Sequence, residues 1–276
     1  MNHWFRYPFP ADGSASIAFH IGPVPIHWYG ISYLIGFICV YLWMNRHNGR
    51  ARLGLTSDQI QDFLVYALVG VLVGGRALFV IADMISKHNA AEYFSHPINF
   101  IAVWSGGMAF HGALVGVILA TLLFLRKHPG LSFNRLGDEV VVLLPIGIAL
   151  TRVVNFINDE LWGRLCRPDH PYCILFPTHA DGYRYPSQIF EAILDILTLP
   201  IVLLIYRSRP PDGVVAWSWF TLYGITRSIA EIWREPDIVV AGITGGQLLA
   251  LPMIVIGVVM LTICYRKSAR TNARPA

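Results

Sequence analysis

IQDFLVYALVGVLVGGRALFVIADMI, residues 60–85, decides the fold. Between Asp62 and Asp83 lie twenty residues of which only Arg76 is charged. At about 1.5 Å per residue, such a helix crosses the roughly 30 Å of hydrocarbon in a bilayer. Working outward, comparable runs lie near 27–45, 107–126, 138–157, 187–207, 213–233 and 243–265. Together they make seven spans, with six or eight as the alternative counts. The stretch FIAVWSGGMAF (100–110) is apolar but Gly-rich and too short to span, so it reads as re-entrant or interfacial. The expected fold is an all-α, polytopic membrane protein. It forms a single integral membrane domain over residues 1–276, with a polar non-cytoplasmic loop at about 158–186.

Composition agrees with that reading. Of 276 residues, 55% are apolar and 14% charged, against about 25% charged in soluble domains. A mean hydropathy of +0.52 suits an outer surface that faces lipid. Disorder and nucleic-acid binding fall away, because the net charge of +4 comes from 21 basic and 17 acidic side chains scattered between apolar runs. The N-terminal MNHWFRYPFPADGSASIAFHIGPVPIHW lacks the layout of a signal peptide, so no cleavage is expected and the first span acts as the insertion signal. Cys39 and Cys264 sit in apolar runs, and no zinc-ligand spacing is present. Cys166 and Cys173 share a polar loop, as a disulfide if that loop faces an oxidising compartment or otherwise as two thiols.

Basic residues sort by alternate loops. Twelve follow the odd-numbered spans: Arg46, Arg50, Arg52, Arg126, Lys127, Arg135, Arg207, Arg209, Arg266, Lys267, Arg270 and Arg274. Six lie on the other side: Arg6, Lys87, Arg164, Arg167, Arg184 and Arg234. The positive-inside rule then puts the C-terminus in the cytoplasm and the N-terminus outside. Arg76, Arg152 and Arg227 remain, inside spans.

Intramembrane charges are costly and mark functional sites. At about 1.5 Å per residue, Arg76 lies ~24 Å and Arg152 and Arg227 ~21 Å along their outward-running helices. His111, Glu191 and Tyr29 fall within the first turns of inward-running ones, and Asn155, Asn158, Glu160 and Glu231 reach the same level. One polar layer in the outer half, over an apolar inner half, differs from the through-membrane polar path of a channel and from the midplane site of a duplicated transporter. It suits an enzyme acting on something in the outer leaflet, with a lipid transporter or scramblase as the alternative. An echo of Arg76 to Asp83 in Arg152 to Asp159 is the only internal repeat.

Tyr223, Arg227 and Glu231 are spaced i, i+4, i+8 and share one helix face, which predicts an Arg227–Glu231 ion pair. Arg152 shares a face with Asn155 and has no carboxylate one turn away, which points to a ligand as its partner. Two guanidiniums at one depth suit a phosphodiester, whose oxygens accept bidentate hydrogen bonds. His111, among the glycines of GGMAFHGAL (106–114), is the candidate general base. Ser105 before Gly106 and Gly107 raises a serine-protease reading that no second serine–histidine pair supports. Arg76 is assigned to structure, paired with Asp83 or Glu92.

WSGGMAFHGALVG (104–116), TRVVNFINDELWGR (151–164), YPSQIFEA (185–192), YGITRSIAEIWREPD (223–237), HWYG (27–30) and GGR (74–76) resemble, in order and along nearly the whole chain, the bacterial phosphatidylglycerol–prolipoprotein diacylglyceryl transferases. The resemblance implies an inner-membrane, multi-pass enzyme with its active site toward the periplasmic half. Its substrates would be phosphatidylglycerol, taken from the membrane lipid, and a preprolipoprotein signal peptide bearing a lipobox cysteine. It would move the diacylglyceryl group onto the cysteine thiol, making a thioether and releasing glycerol phosphate, the first step of lipoprotein maturation. Arg152, Asn155, Glu160 and Gly163 fall on one family block, and Tyr29, His111, Tyr223, Arg227 and Glu231 on others. Thr151, Tyr185 and Ser228 depart from the usual Gly, His and Phe.

On this resemblance the catalytic set is His111, Arg152 and Arg227, with His111 raising the thiolate fraction of a thiol whose free pKa is near 8.5. Arg152 and Arg227 hold the phosphate and stabilise the leaving oxygen. Tyr29, Asn155, Asn158, Glu160, Gly163 and Tyr223 bind or orient the lipid, and Glu231 positions Arg227. No metal and no cofactor are called for.

Overall fold

The computed structural model describes residues 7–10, 14–87, 90–103, 106–178, 181–236 and 238–272. Ser105 and Trp104, with Arg6, Asp237 and Arg274, lie outside the described residues. Helices dominate: α1 (Trp28–Asn45), α2 (His47–Leu53), α3 (Ser57–Ser86), α4 (Ala90–Ser95), α5 (Phe110–Lys127), α6 (Phe133–Val140), α7 (Leu144–Ile157), α8 (Ser187–Arg207), α9 (Val214–Ala230) and α10 (Gly245–Asn272). Three short antiparallel hairpins, which an all-α reading did not anticipate, pair β1 (Ile17–Ile21) with β2 (Val24–His27), β3 (Ile174–Leu175) with β4 (Tyr183–Arg184), and β5 (Val239–Val240) with β6 (Ile243–Thr244). The first precedes α1 and the other two lie in connections between helices, outside the apolar helices themselves, where water can satisfy open strand edges that hydrocarbon cannot.

Among the described residues, five helices are long and apolar enough to cross a membrane, and six if α6 and α7 form one broken span. The chain is a polytopic membrane protein. The break in the fourth predicted span bends by 53°. Pro145, in the first turn of α7, lacks an N–H and disfavours helix in the residue before it, which ends the run from α6. The sixth predicted span is α9, which is 17 residues long and carries Arg227 near its end. Large apolar side chains point outward along the helices, as with Leu42 at 62% exposed, Val73 at 63% and Leu204 at 66%, a surface suited to lipid.

The described residues fall into two compact units, Met44–Leu136 and a second built from Met1–Trp43 with Gly137–Ala276. In the first unit, Thr56 opens α3 with a capping box. Its hydroxyl accepts from Gln59 N at 3.2 Å and its N–H donates to Gln59 Oε1 at 2.9 Å. Gly70 and Gly74 of α3 meet Gly112 and Gly116 of α5 so closely that a Cβ on Gly116 would overlap the Gly70 carbonyl, and one on Gly112 the Gly74 carbonyl. Glycines four apart on both helices let the backbones touch, which is how helices associate where lipid removes the hydrophobic drive. Gly112 is therefore taken up by helix packing and does not open room beside His111 for a substrate.

Arg76 is held differently from the pairing expected. Its guanidinium donates to the carbonyls of Asn99 (2.6 Å), Phe100 (3.4 Å), Gly106 (2.6 Å) and Gly107 (3.0 Å). Asp83 takes Lys87 at 2.8 Å and the Tyr93 hydroxyl at 3.0 Å. A non-helical segment needs donors for its carbonyls, and the guanidinium fork supplies several at once. The segment read as re-entrant (100–110) thus begins at the end of a short 3-10 turn (Pro97–Phe100), and its described residues 101–103 and 106–109 form no α-helix, with Gly106 and Gly107 bound to Arg76 through their carbonyls.

In the second unit, Val141, Val142, Val202 and Val215 form a buried cluster under Trp43, Tyr206 and Trp219. Buried Asp138 accepts from Gly213 N (2.8 Å) and Ala216 N (2.9 Å), capping the start of α9. At the other end of the unit the Tyr7 hydroxyl donates to the carbonyls of Phe156 (3.0 Å) and Ile157 (2.6 Å), tying the N-terminal segment to the last turn of α7.

Gly116→Val should lower the thermal unfolding midpoint in detergent, by overpacking of about 1–3 kcal/mol; an unchanged midpoint would contradict the α3–α5 contact. Burial, with the negative charge of Asp159 second, pushes the Tyr7 phenol from 10.0 up to about 12. The folded state holds that proton more tightly, so the stabilisation is complete below pH 10 and is lost as pH rises toward 12. Tyr7→Phe should be less stable at pH 8 by about 1 kcal/mol, and should show a flatter loss of stability than the parent above pH 10 in denaturant titrations.

Candidate active site

α8 begins at Ser187 and places Glu191 one turn in, 3% exposed. A carboxylate buried that deeply in an apolar helix needs cations, and three arginines supply them. Arg152 of α7 brings Nε to 2.8 Å, Arg227 of α9 brings Nη1 to 3.5 Å, and Arg234, just past α9, brings Nη1 to 3.2 Å. Arg152 therefore has a carboxylate partner within the protein, across the bundle rather than along its own helix, where the sequence pointed to a ligand. Arg227 and Glu231 form the predicted ion pair. A Cβ on Gly246 would overlap Glu231 Oε1 and lie 2.7 Å from Arg227 Nη2, so the second residue of α10 must be glycine to leave that pair its space.

Close contact is not full satisfaction. Arg152 Nε, Glu191 Oε2 and Arg227 Nη1 are all buried and none makes an aligned hydrogen bond. These atoms border a cleft shared by Arg152, Glu191, Asp195, Tyr223, Thr226 and Arg227. Buried polar atoms are nearly always hydrogen-bonded, so the two misaligned guanidinium nitrogens, Arg152 Nε and Arg227 Nη1, are donors of the kind an oxyanion satisfies. Thr151 and Ser228, two of the family departures, return their hydroxyls to Gly147 O and Gly224 O, both at 2.9 Å.

Beside this cleft stands a second cluster, centred on Glu160. Its carboxylate accepts from the Tyr29 hydroxyl, from Asn155 Nδ2 at 3.2 Å and from Asn158 Nδ2 at 3.3 Å. Asn155 Nδ2 also donates to the Tyr29 oxygen at 2.5 Å, and Gln188 Nε2 to the Glu160 carbonyl at 2.5 Å. The amide oxygens of Asn155, Asn158 and Gln188 are buried without partners, leaving acceptors for hydroxyl or thiol donors. The turn that carries Glu160 has Asp159 and Leu161 at positive φ (56° and 58°), and the Asp159 carboxylate pins it through Trp162 Nε1 (2.6 Å) and the Thr178 hydroxyl (2.7 Å).

Gly163 works through its backbone. Its N–H donates to Tyr185 O at 3.0 Å, its carbonyl accepts from Arg184 at 2.9 Å, and a Cβ there would lie 2.7 Å from the Trp233 carbonyl. Cys166 and Cys173 are joined by a disulfide in the same loop. His111 is the second residue of α5, exposed and edge-on to the Phe110 ring at 5.7 Å, in the 44–136 unit; every other predicted site residue belongs to the other unit.

The structure thus gathers Arg152, Tyr223 and Arg227 at one cleft, with Glu231 paired to Arg227, and Tyr29, Asn155, Asn158 and Glu160 at the neighbouring cluster. Sequence reasoning passed over Glu191 as the common partner, counted Arg234 as a loop charge, and missed Gln188 and Asp195. A readable signal existed in SQIFEAILD (187–195), where two carboxylates stand four residues apart inside an apolar helix.

Comparison with known proteins places this arrangement. Residues 16–263 match the family described as prolipoprotein diacylglyceryl transferase. A phosphatidylglycerol–prolipoprotein diacylglyceryl transferase of Rhodospirillum centenum is 40% identical, across 98% of this chain and 98% of its own length. Proteins of the same name from Gluconobacter oxydans and Geobacter sulfurreducens are each 38% identical, over 93% and 91% of this chain and 95% of their own lengths. The chain belongs to the prolipoprotein diacylglyceryl transferase family.

Proposed function

We propose that this protein transfers the diacylglyceryl group of phosphatidylglycerol to the thiol of a lipobox cysteine in a preprolipoprotein, forming a thioether and releasing glycerol phosphate. The observation that carries the reading is the convergence of Arg152 and Arg227 on Glu191, with buried charged atoms left out of alignment in the same cleft. A phosphodiester monoanion would complete their coordination. The thiolate attacks the glycerol carbon that bears the phosphate. As that carbon–oxygen bond breaks, charge grows on the oxygen beside the two guanidiniums, where a preorganised positive field is worth several kcal/mol. His111 takes the thiol proton. Tyr223 and the Glu160 cluster with Tyr29, Asn155 and Asn158 orient the lipid, Gly163 fixes the backbone beneath that cluster, and Glu231 holds Arg227.

In this reading seven spans cross the bacterial inner membrane as one integral membrane domain, the N-terminus outside and the C-terminus in the cytoplasm. The cleft serves the periplasmic half. A two-chain lipid stays in the bilayer on its way to the site, so its route is lateral.

Purified protein incubated with phosphatidylglycerol and a synthetic lipobox peptide should add one diacylglyceryl group to the cysteine, read by mass spectrometry. Lipid movement between leaflets with no covalent product would instead favour a transporter. His111→Gln should cut turnover by about 10²–10⁴-fold while lipid still binds. Arg152→Ala should cut it by about 10²–10³-fold and weaken lipid binding; unchanged binding and turnover would assign the phosphate to another group.

A further inference from the structure

Asp195 is the charged residue of the cleft that the transfer reaction leaves without a task. It lies one helical turn beyond Glu191 on the same face of α8, toward the middle of the helix, and is 6% exposed. Its carboxyl makes no hydrogen bond or ion pair among the described residues, although it borders the cleft. The groups that act on it are Arg152 from α7, Glu191 from α8, and Arg227 from α9, with Tyr223 lining the same space. An unpaired carboxylate is costly to bury, and more so one turn from a second one.

Charge counting gives it a role. Arg152, Arg227 and Arg234 carry three positive charges, and Glu191 and Glu231, which pair with them, carry two negative ones. An ionised Asp195 makes the group neutral before any anion enters. A phosphodiester adds one negative charge, and breaking its ester bond adds another, next to two carboxylates that already share the same arginines. A proton on Asp195 offsets the charge of the bound phosphodiester, and its transfer to the departing oxygen keeps the phosphate product at one negative charge. Position agrees. The ester oxygen that joins phosphate to the diacylglyceryl group lies on the acyl-chain side of the phosphorus, and Asp195 lies farther along α8 toward the apolar middle than the residues that hold the guanidiniums.

We propose that Asp195 is the general acid of the transfer: it carries a proton when the lipid phosphate occupies the arginine cleft and gives that proton to the departing ester oxygen. The step rests on the function proposed above. The sulfur–carbon bond forms, the carbon–oxygen bond breaks with its electron pair going to oxygen, and the Asp195 proton moves to that oxygen. Glycerol phosphate departs as a monoanion. The thiol proton leaves through the base, and Asp195 takes a new proton from water as the next lipid binds. After the transfer Asp195 is ionised beside the product, which weakens the hold of the arginines on it and favours release.

The test uses the full-length protein in detergent, with a lipobox peptide and two lipids: phosphatidylglycerol, and diacylglyceryl sulfate, whose sulfate leaving group needs no proton. With phosphatidylglycerol, kcat of the unaltered protein should fall at high pH, and Asp195→Asn should lose that descending limb and about 100-fold in kcat without weaker lipid binding. With the sulfate, the deficit of Asp195→Asn should shrink to under about threefold, and Asp195→Glu should recover part of the phosphatidylglycerol rate. An Asp195→Asn variant with unchanged kcat and pH profile, or with the same deficit on both lipids, would overturn the role. Should the variant fail to fold, the unaltered protein decides alone, since an identical high-pH response on both lipids also overturns it. No lipidated peptide from the unaltered protein and phosphatidylglycerol is a separate result, which removes the transferase reading and this role with it.

Discussion

Glu191 sets the terms for the larger unit. Its carboxylate is nearly out of contact with solvent, and removing one partner from a buried ion pair typically costs about 3–5 kcal/mol. α8 can therefore hold Glu191 only if α7 delivers Arg152, α9 delivers Arg227, and the chain after α9 folds back to deliver Arg234. The same contacts that fix these elements leave the guanidiniums in tension between a structural carboxylate and a ligand. An anion entering the cleft does not meet free arginines; it meets arginines already oriented by one carboxylate and short of aligned hydrogen bonds. That is preorganisation, and under the proposed function it would let the cluster serve folding and chemistry with one set of charges.

A second consequence concerns the division of labour around Glu160. Tyr29 and two asparagines direct their donors inward to its carboxylate, while the amide oxygens of Asn155, Asn158 and Gln188 are left as acceptors. The arginine cleft is rich in donors and its neighbour is rich in acceptors. Side by side in one unit, they suit a substrate that has an anionic phosphate and carries hydroxyl groups.

Much of this was legible in the sequence, and the remainder has physical reasons. Apolar length alone marks α1, α3, α5 and α8 to within three residues at each end, because a membrane span obeys one strong constraint. The Arg227–Glu231 pair follows from helical spacing. The broken fourth span turns on Pro145, a local backbone effect inside a hydrophobic run that length counting smooths over. Partners of Arg76 and Arg152 were misread for one reason: both guanidiniums are answered across space, by backbone carbonyls in one case and by another helix in the other, and sequence spacing reports only neighbours on the same helix. The glycines of α3 and α5, four apart on each helix, carried a contact signal that a reading focused on His111 set aside.

The carbonyl cage of Arg76 bears on the order in which the chain is made. Bare carbonyls from a non-helical stretch are poorly tolerated in hydrocarbon, so the residues near Asn99, Phe100, Gly106 and Gly107 need a donor when they arrive. α3 precedes them in the chain and holds its guanidinium in place through its own helix. Synthesis from the N-terminus thus presents the donor before its acceptors emerge. A circular permutation that moved α3 behind this segment would keep every contact of the finished structure and still reverse that sequence of events.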